Sequence, residues 1–128
     1  MQDRTLYEYA VVRLVPRVER EEFVNIGVLL YCRKQKYAKL LFHIDEERCR
    51  LLHKEIDFEQ IYAHLKSIQH ICKGNKEGGA LAMLDQTERF RWITAKRSTL
   101  IQCSAVHPGF CLDAAETHQE LMEKLVYS

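Results

Sequence analysis

Apolar and polar positions divide the chain into a strand-rich opening and a helical middle, followed by a mixed final stretch. Thr5 to Val15 is rich in aromatic and β-branched residues, which favour extended backbone. It sorts into Leu6, Ala10, Val12 and Leu14 on one face and Tyr7, Tyr9, Val11 and Val15 on the other. Two largely apolar faces predict a central strand covered on both sides for part of its length, closed by Pro16, which has no N–H to donate. Arg17 to Glu22 reads as a charged connector. Phe23 to Cys32 then forms a second strand, with Val24, Ile26, Val28 and Leu30 on one face and Asn25, Gly27, Leu29 and Tyr31 on the other. Arg33 to Lys36 is a solvated turn, and Tyr37 to His43 returns as a third strand, completing an antiparallel hairpin.

Asp45 caps a short helix ending near Leu52. A stronger helix begins at Asp57, because Phe58, Ile61, Tyr62, Leu65, Ile68 and Cys72 recur at three- and four-residue spacing. Asp57 with Gln60 resembles a capping box, and Gly74 stops the helix as a glycine beyond the last turn does. Lys73 to Gly79 is expected to be a flexible loop. Thr87 to Thr94 reads as a short helix or turn, and Thr99 to Val106 as a fourth strand ended by Pro108-Gly109. A final helix runs from about Ala114 to Val126, signalled by Asp113 and Glu116 and by the Leu121, Met122, Leu125 stripe. The expected fold is one α+β domain over residues 1–128: a mostly antiparallel sheet of about four strands, with helices packed chiefly on one face.

The 128 residues suit a single domain, and 47% hydrophobic residues with only 5 Gly and 2 Pro exclude a disordered or fibrous chain. Nineteen basic against 18 acidic residues leave a formal charge of +1, too little to steer the whole molecule to nucleic acid or membrane. No apolar run approaches the roughly 18 residues of a membrane span. Met1 to Thr5 lacks the apolar stretch of a secretory leader, so a cytoplasmic protein is expected. Five cysteines with no Cys-x-x-Cys pair point to free thiols rather than a disulfide framework. Cys49 with His53, His70 with Cys72 and Cys103 with His107 are near neighbours without the spacing of structural zinc sites, so no metal and no cofactor is expected.

Three groups of residues are candidates for chemistry. In Glu22-Phe23-Val24-Asn25-Ile26-Gly27-Val28, Asn25 and Gly27 interrupt an apolar run on one face. They read either as a ligand-facing notch or as packing geometry, the commoner meaning of glycine in a strand. Arg89, Arg91, Lys96 and Arg97 place four cations within nine residues, with Ser98 and Thr99 beside them. Guanidinium forks near hydroxyls suit phosphate or carboxylate. The alternative is a solvated face in which Phe90 and Trp92 are core anchors and Arg89 or Arg91 pairs with Glu22 or Glu88. Without a wider basic stripe, nucleic acid is disfavoured. His107, beside the Pro108-Gly109 turn, is a weak candidate general base with Cys103 or Ser98 as nucleophile. The more common role of such a histidine is to bond its own turn.

Tyr7-Glu8-Tyr9-Ala10-Val11-Val12-Arg13-Leu14-Val15-Pro16, the Glu22–Val28 segment and Arg89-Phe90-Arg91-Trp92 form an ordered set. With Arg97-Ser98-Thr99-Leu100-Ile101-Gln102 and Val106-His107-Pro108-Gly109, they resemble an uncharacterised bacterial family, domain of unknown function 3037 (DUF3037). The resemblance spans nearly the whole chain, although Asp45 to Gln86 matches only as generic helix. It implies no established activity. It does imply a protein partner, a HipA-like serine/threonine kinase, next to which members are often encoded. The matching polar residues Arg13, Glu22, Asn25, Arg89, Ser98 and His107, with Arg97 from the basic cluster, make up the candidate binding site. The leading expectation is a non-enzymatic accessory or interaction domain. The alternatives are a small hydrolase or transferase with His107 as base, and a nucleic-acid- or phosphate-binding module.

Overall fold

The computed structural model describes residues 3–97 and 99–127. Five strands form one antiparallel sheet: β1 (Thr5–Leu14), β2 (Val24–Cys32), β3 (Tyr37–Phe42), β4 (Ile101–Cys103) and β5 (His107–Cys111). The order across the sheet is β3-β2-β1-β4, with β5 pairing β1 as well. The β2–β3 hairpin and the central position of β1 follow the hydrophobic pattern. Four α-helices surround the sheet: α1 (Glu46–Leu52), α2 (Phe58–Lys73), α3 (Gln86–Thr94) and α4 (Ala114–Met122). A π-helical turn over Glu123–Tyr127 extends α4.

The helix starts rest on side-chain caps. Asp45, Asp57 and Asp113 each accept backbone N–H bonds from the first turn that follows, satisfying donors that have no partner within the helix. Asp85 does the same for α3. Gly74 ends α2 at φ 71°, a left-handed conformation that costs glycine little. The following stretch is more ordered than a flexible loop. Lys76–Met83 forms two 3-10 turns broken at Gly79, with Ala82 buried.

The helices divide unequally between the two faces. Cys49 of α1, Ile61, Leu65 and Ile68 of α2, and Phe90 and Ile93 of α3 close the larger core against Val12, Leu14, Leu29 and Tyr31. On the other face α4 and its extension cover Val28, Leu30 and Cys32 through Ala114, Met122 and Val126. The α+β class, the antiparallel sheet and a chiefly one-sided helix layer are thus as the sequence pattern predicts.

Two local departures matter for the site. The β1–β2 register shifts between Val12↔Gly27 and Arg13↔Asn25, leaving Ile26 as the extra residue of a bulge. Such a residue reverses the alternation. Val24 and Ile26 therefore join Leu29 and Tyr31 in the larger core, while Val28 and Leu30 face α4. Asn25 and Gly27 are correspondingly separated. Asn25 reaches the Leu125 carbonyl at 3.1 Å, whereas a Cβ on Gly27 would lie 2.6 Å from the Leu41 carbonyl oxygen. Gly27 is a packing residue of the hairpin, not a ligand notch.

The second departure is at the sheet edge. Pro108-Gly109 does not end the fourth strand but lies inside β5, opposite Glu8 and Tyr7. An edge strand leaves alternate N–H groups unpaired, so proline's missing donor is tolerated there. Between β4 and β5, Ser104, Ala105 and Val106 stand opposite only Ala10 and Val11 of β1. The edge is one strand interrupted by a bulge.

Candidate functional site

A cleft of about 440 Å³ opens where the end of β1 meets the start of β2, β4 and the segment after α3. Arg13, Phe23, Lys96, Arg97 and Gln102 line it. Register explains the first contributions: Arg13 stands directly opposite Asn25 on β2 and Gln102 on β4. The Arg13 guanidinium lies 4.2 Å above the Phe23 ring centroid, a distance at which the ring face attracts a cation. Its Nε is buried without a hydrogen-bond partner among the described residues, as is the Oδ1 of Asn25 opposite.

Arg97 enters from the end of α3. Its Nη1 and Nη2 donate to the carbonyls of Ile93 and Trp92 at 3.2 and 2.6 Å, engaging acceptors in the last turn of the helix. Its guanidinium covers the Trp92 indole at 4.0 Å. A smaller adjoining cavity shares Arg97, Gln102 and Cys103 and adds Trp92 and His64. Trp92 is 42% exposed and Phe90 only 1%, so Phe90 alone is the core anchor.

The electrostatics of the cleft are one-sided. Ion pairs among the described residues join Arg17 to Glu19, Arg20 to Glu22, Arg50 to Glu46 and Arg91 to Glu8. None involves Arg13, Lys96 or Arg97. Glu21 lines the same cleft and leaves it a net positive lining. Three cations without a paired carboxylate among the described residues, two of them guanidinium forks, form an arrangement suited to phosphate or carboxylate. Cys103 is a poor nucleophile there. Burial pushes its thiol up to about 11, and the nearby Arg97 and Arg13 charges pull it back only in part.

The other sequence-derived candidates lie elsewhere. Glu22 pairs with Arg20 at the surface. Arg89 donates to the Ile71 carbonyl at 3.3 Å near the end of α2, so it neither pairs with Glu22 nor approaches Arg13. His107 is exposed and stacks against Tyr9 at 5.4 Å, four residues or about 13 Å back along β1 from Arg13. Its imidazole makes no hydrogen bond to any described side chain, and Cys103 packs into the larger core on the opposite face. Ser98 lies outside the described residues. The cleft thus joins Arg13 and Arg97, and its lining leaves out Asn25, which stands opposite Arg13 on β2, as well as Glu22, Arg89 and His107. Lys96 was visible as Arg97's neighbour. Phe23 and Gln102 stood within the quoted motifs without being singled out, since only strand register sets Gln102 opposite Arg13 and only the fold brings the Phe23 ring under its guanidinium.

The cations required for a nucleic-acid face are dispersed. Arg91 and Lys34 line a different cleft, Arg89 caps α2, and Arg97 faces the Arg13 cleft. All five cysteines are free. No group of three or more His, Cys, Asp or Glu residues suited to a metal occurs among the described residues, and no described helix is long and apolar enough to cross a membrane.

No curated protein and no solved structure matches the chain. One family model does, over residues 9–126: Protein of unknown function (DUF3037). That span contains the whole Arg13 cleft together with β2 to β5 and all four helices, so the chain belongs to the DUF3037 family.

Proposed function

We propose that this domain is a non-enzymatic binding module whose Arg13 cleft receives a phosphate or carboxylate carried by a protein partner. The observation that carries the reading is the convergence of Arg13, Lys96 and Arg97 on one cleft with no carboxylate paired to any of them among the described residues. Three cations gathered with only Glu21 as a counter-charge in the lining repel one another, and an incoming anion relieves that repulsion. Binding is favoured over catalysis because the His107 imidazole lies away from the cleft, and because the one thiol in the cleft is held protonated. A HipA-like serine/threonine kinase, the partner implied by the family resemblance, is the first candidate to test.

The test is affinity capture from nuclease-treated native lysate with the tagged wild-type chain and an Arg13→Gln, Lys96→Gln double variant. The reading predicts a stoichiometric protein held by the wild type, released by free phosphate and lost from the double variant. Recovery of the same proteins by both forms would rule out the cleft as the contact.

A further inference from the structure

The helix layer over the larger core leaves one corner of the sheet bare. There the first half of β1 meets β5, and the directly opposed pair Leu6 and Phe110 is 51% and 65% exposed. These two side chains, together with Tyr31 across β1 on β2, line a second cleft of about 450 Å³, at the opposite end of β1 from Arg13. Arg4, Arg33 and Lys34 stand around it, and none of them forms an ion pair among the described residues. The carboxylate lining it, Glu8, is already held by both Nη atoms of Arg91 at 2.9 and 3.0 Å. An apolar floor with a cationic rim results, its acid neutralised from within.

We propose that this corner docks an acidic segment of a partner protein carrying an apolar side chain. The apolar residue covers Leu6 and Phe110, and flanking carboxylates meet Arg4, Arg33 and Lys34. A small inorganic anion would leave the floor bare, and an uncharged apolar group would leave the rim unmatched. The floor runs out to β5, the outermost strand beside this half of β1, so an extended chain can follow it past the cleft where a compact molecule cannot. This docking does not depend on the Arg13 cleft.

The probe is a seven-residue synthetic peptide alternating Asp with Leu and Phe, titrated into the isotope-labelled full chain and followed by amide chemical shifts. A control peptide has Lys in place of each Asp. The expected result is saturable shifts at Leu6, Arg33, Lys34 and Phe110 with the acidic peptide only. Lys34→Glu, an exposed turn substitution, weakens binding about tenfold, and Phe110→Ser does likewise while amide dispersion shows both variants folded. Equal binding of the Lys peptide, or acidic-peptide shifts that miss this corner, would overturn the proposal. So would octanoate matching the peptide's shifts at equal concentration, which would make the occupant a small amphiphile.

Discussion

The Arg97 guanidinium lies 4.0 Å above the Trp92 ring centroid, which places the protein's only tryptophan against a wall of the cationic cleft. An anion drawn to Arg97 changes the charge above the indole, so Trp92 emission reports occupancy. Titration with phosphate should shift or quench that emission with saturation, and Arg97→Lys should weaken the response, because a point charge cannot stack or fork as guanidinium does. Emission that is indifferent to phosphate would separate Arg97 from the anion.

The same contact sets a stability expectation. With the indole 42% exposed and Phe90 1% exposed, Trp92→Ala should cost about 1 kcal/mol, the scale of a partly exposed cation–π contact. Phe90→Ala should cost about 3–5 kcal/mol by opening a core cavity. Denaturant unfolding of the two variants measures the difference, and equal losses would mean that Trp92 is a core residue after all.

Ser104 holds the interrupted edge together. Its backbone N–H donates to the Val11 carbonyl at 2.8 Å, while its Oγ accepts the Val11 N–H at 2.8 Å. The hydroxyl stands in for the carbonyl that the bulge removes from the ladder, and its own O–H donates to the Ala105 carbonyl at 2.9 Å. Ser104→Ala leaves the Val11 donor buried and unpaired, which should cost about 1–3 kcal/mol. Amide exchange at Val11 should accelerate selectively, whereas a uniform loss of protection would point to a general packing defect.

Acid should loosen α4 first. His118 is fully buried, with Nδ1 2.6 Å from the Tyr37 hydroxyl and Nε2 2.6 Å from the Val28 carbonyl. Burial lowers its pKa from 6.5 to about 4; Lys39 adds to the effect and the Val28 carbonyl opposes it. Burial, with Asp113 adding, pushes the Tyr37 hydroxyl up to about 12. Tyr37 therefore keeps its proton and donates to Nδ1, and Nε2–H donates to Val28. The unfolded chain takes up a proton below pH 6.5 that the folded chain refuses. Stability is complete above 6.5 and falls as pH drops toward 4, by up to about 3 kcal/mol. Unfolding free energies across that window should show the slope, and His118→Leu should flatten it.

Much of the fold was legible because its signals are local. Asp45, Asp57 and Asp113 cap helices that were readable from those aspartates and, for the two longer ones, the apolar spacing that follows, and Gly74 marks a stop readable from one residue. The bulge at Ile26 was not legible, since it is a property of the pairing between β1 and β2 and changes no composition. The same holds for Pro108, which looks like a terminator until an edge position is known to tolerate it. For the candidate site the polar residues were visible individually, but their convergence was not. Arg13 and Arg97 meet through register and the turn after α3, while Arg89, two residues from Arg91 and eight from Arg97, points to the end of α2 instead.

The most direct test of the account is a calorimetric titration of inorganic phosphate into the full chain at low ionic strength. A single saturable site is predicted, weakened about tenfold by Arg13→Gln and by Lys96→Gln, the scale of a lost charge-assisted hydrogen bond, and left unchanged by Lys34→Glu at the other end of β1. No measurable binding, or binding that Arg13→Gln leaves intact, would contradict the claim that the Arg13 cleft is an anion site.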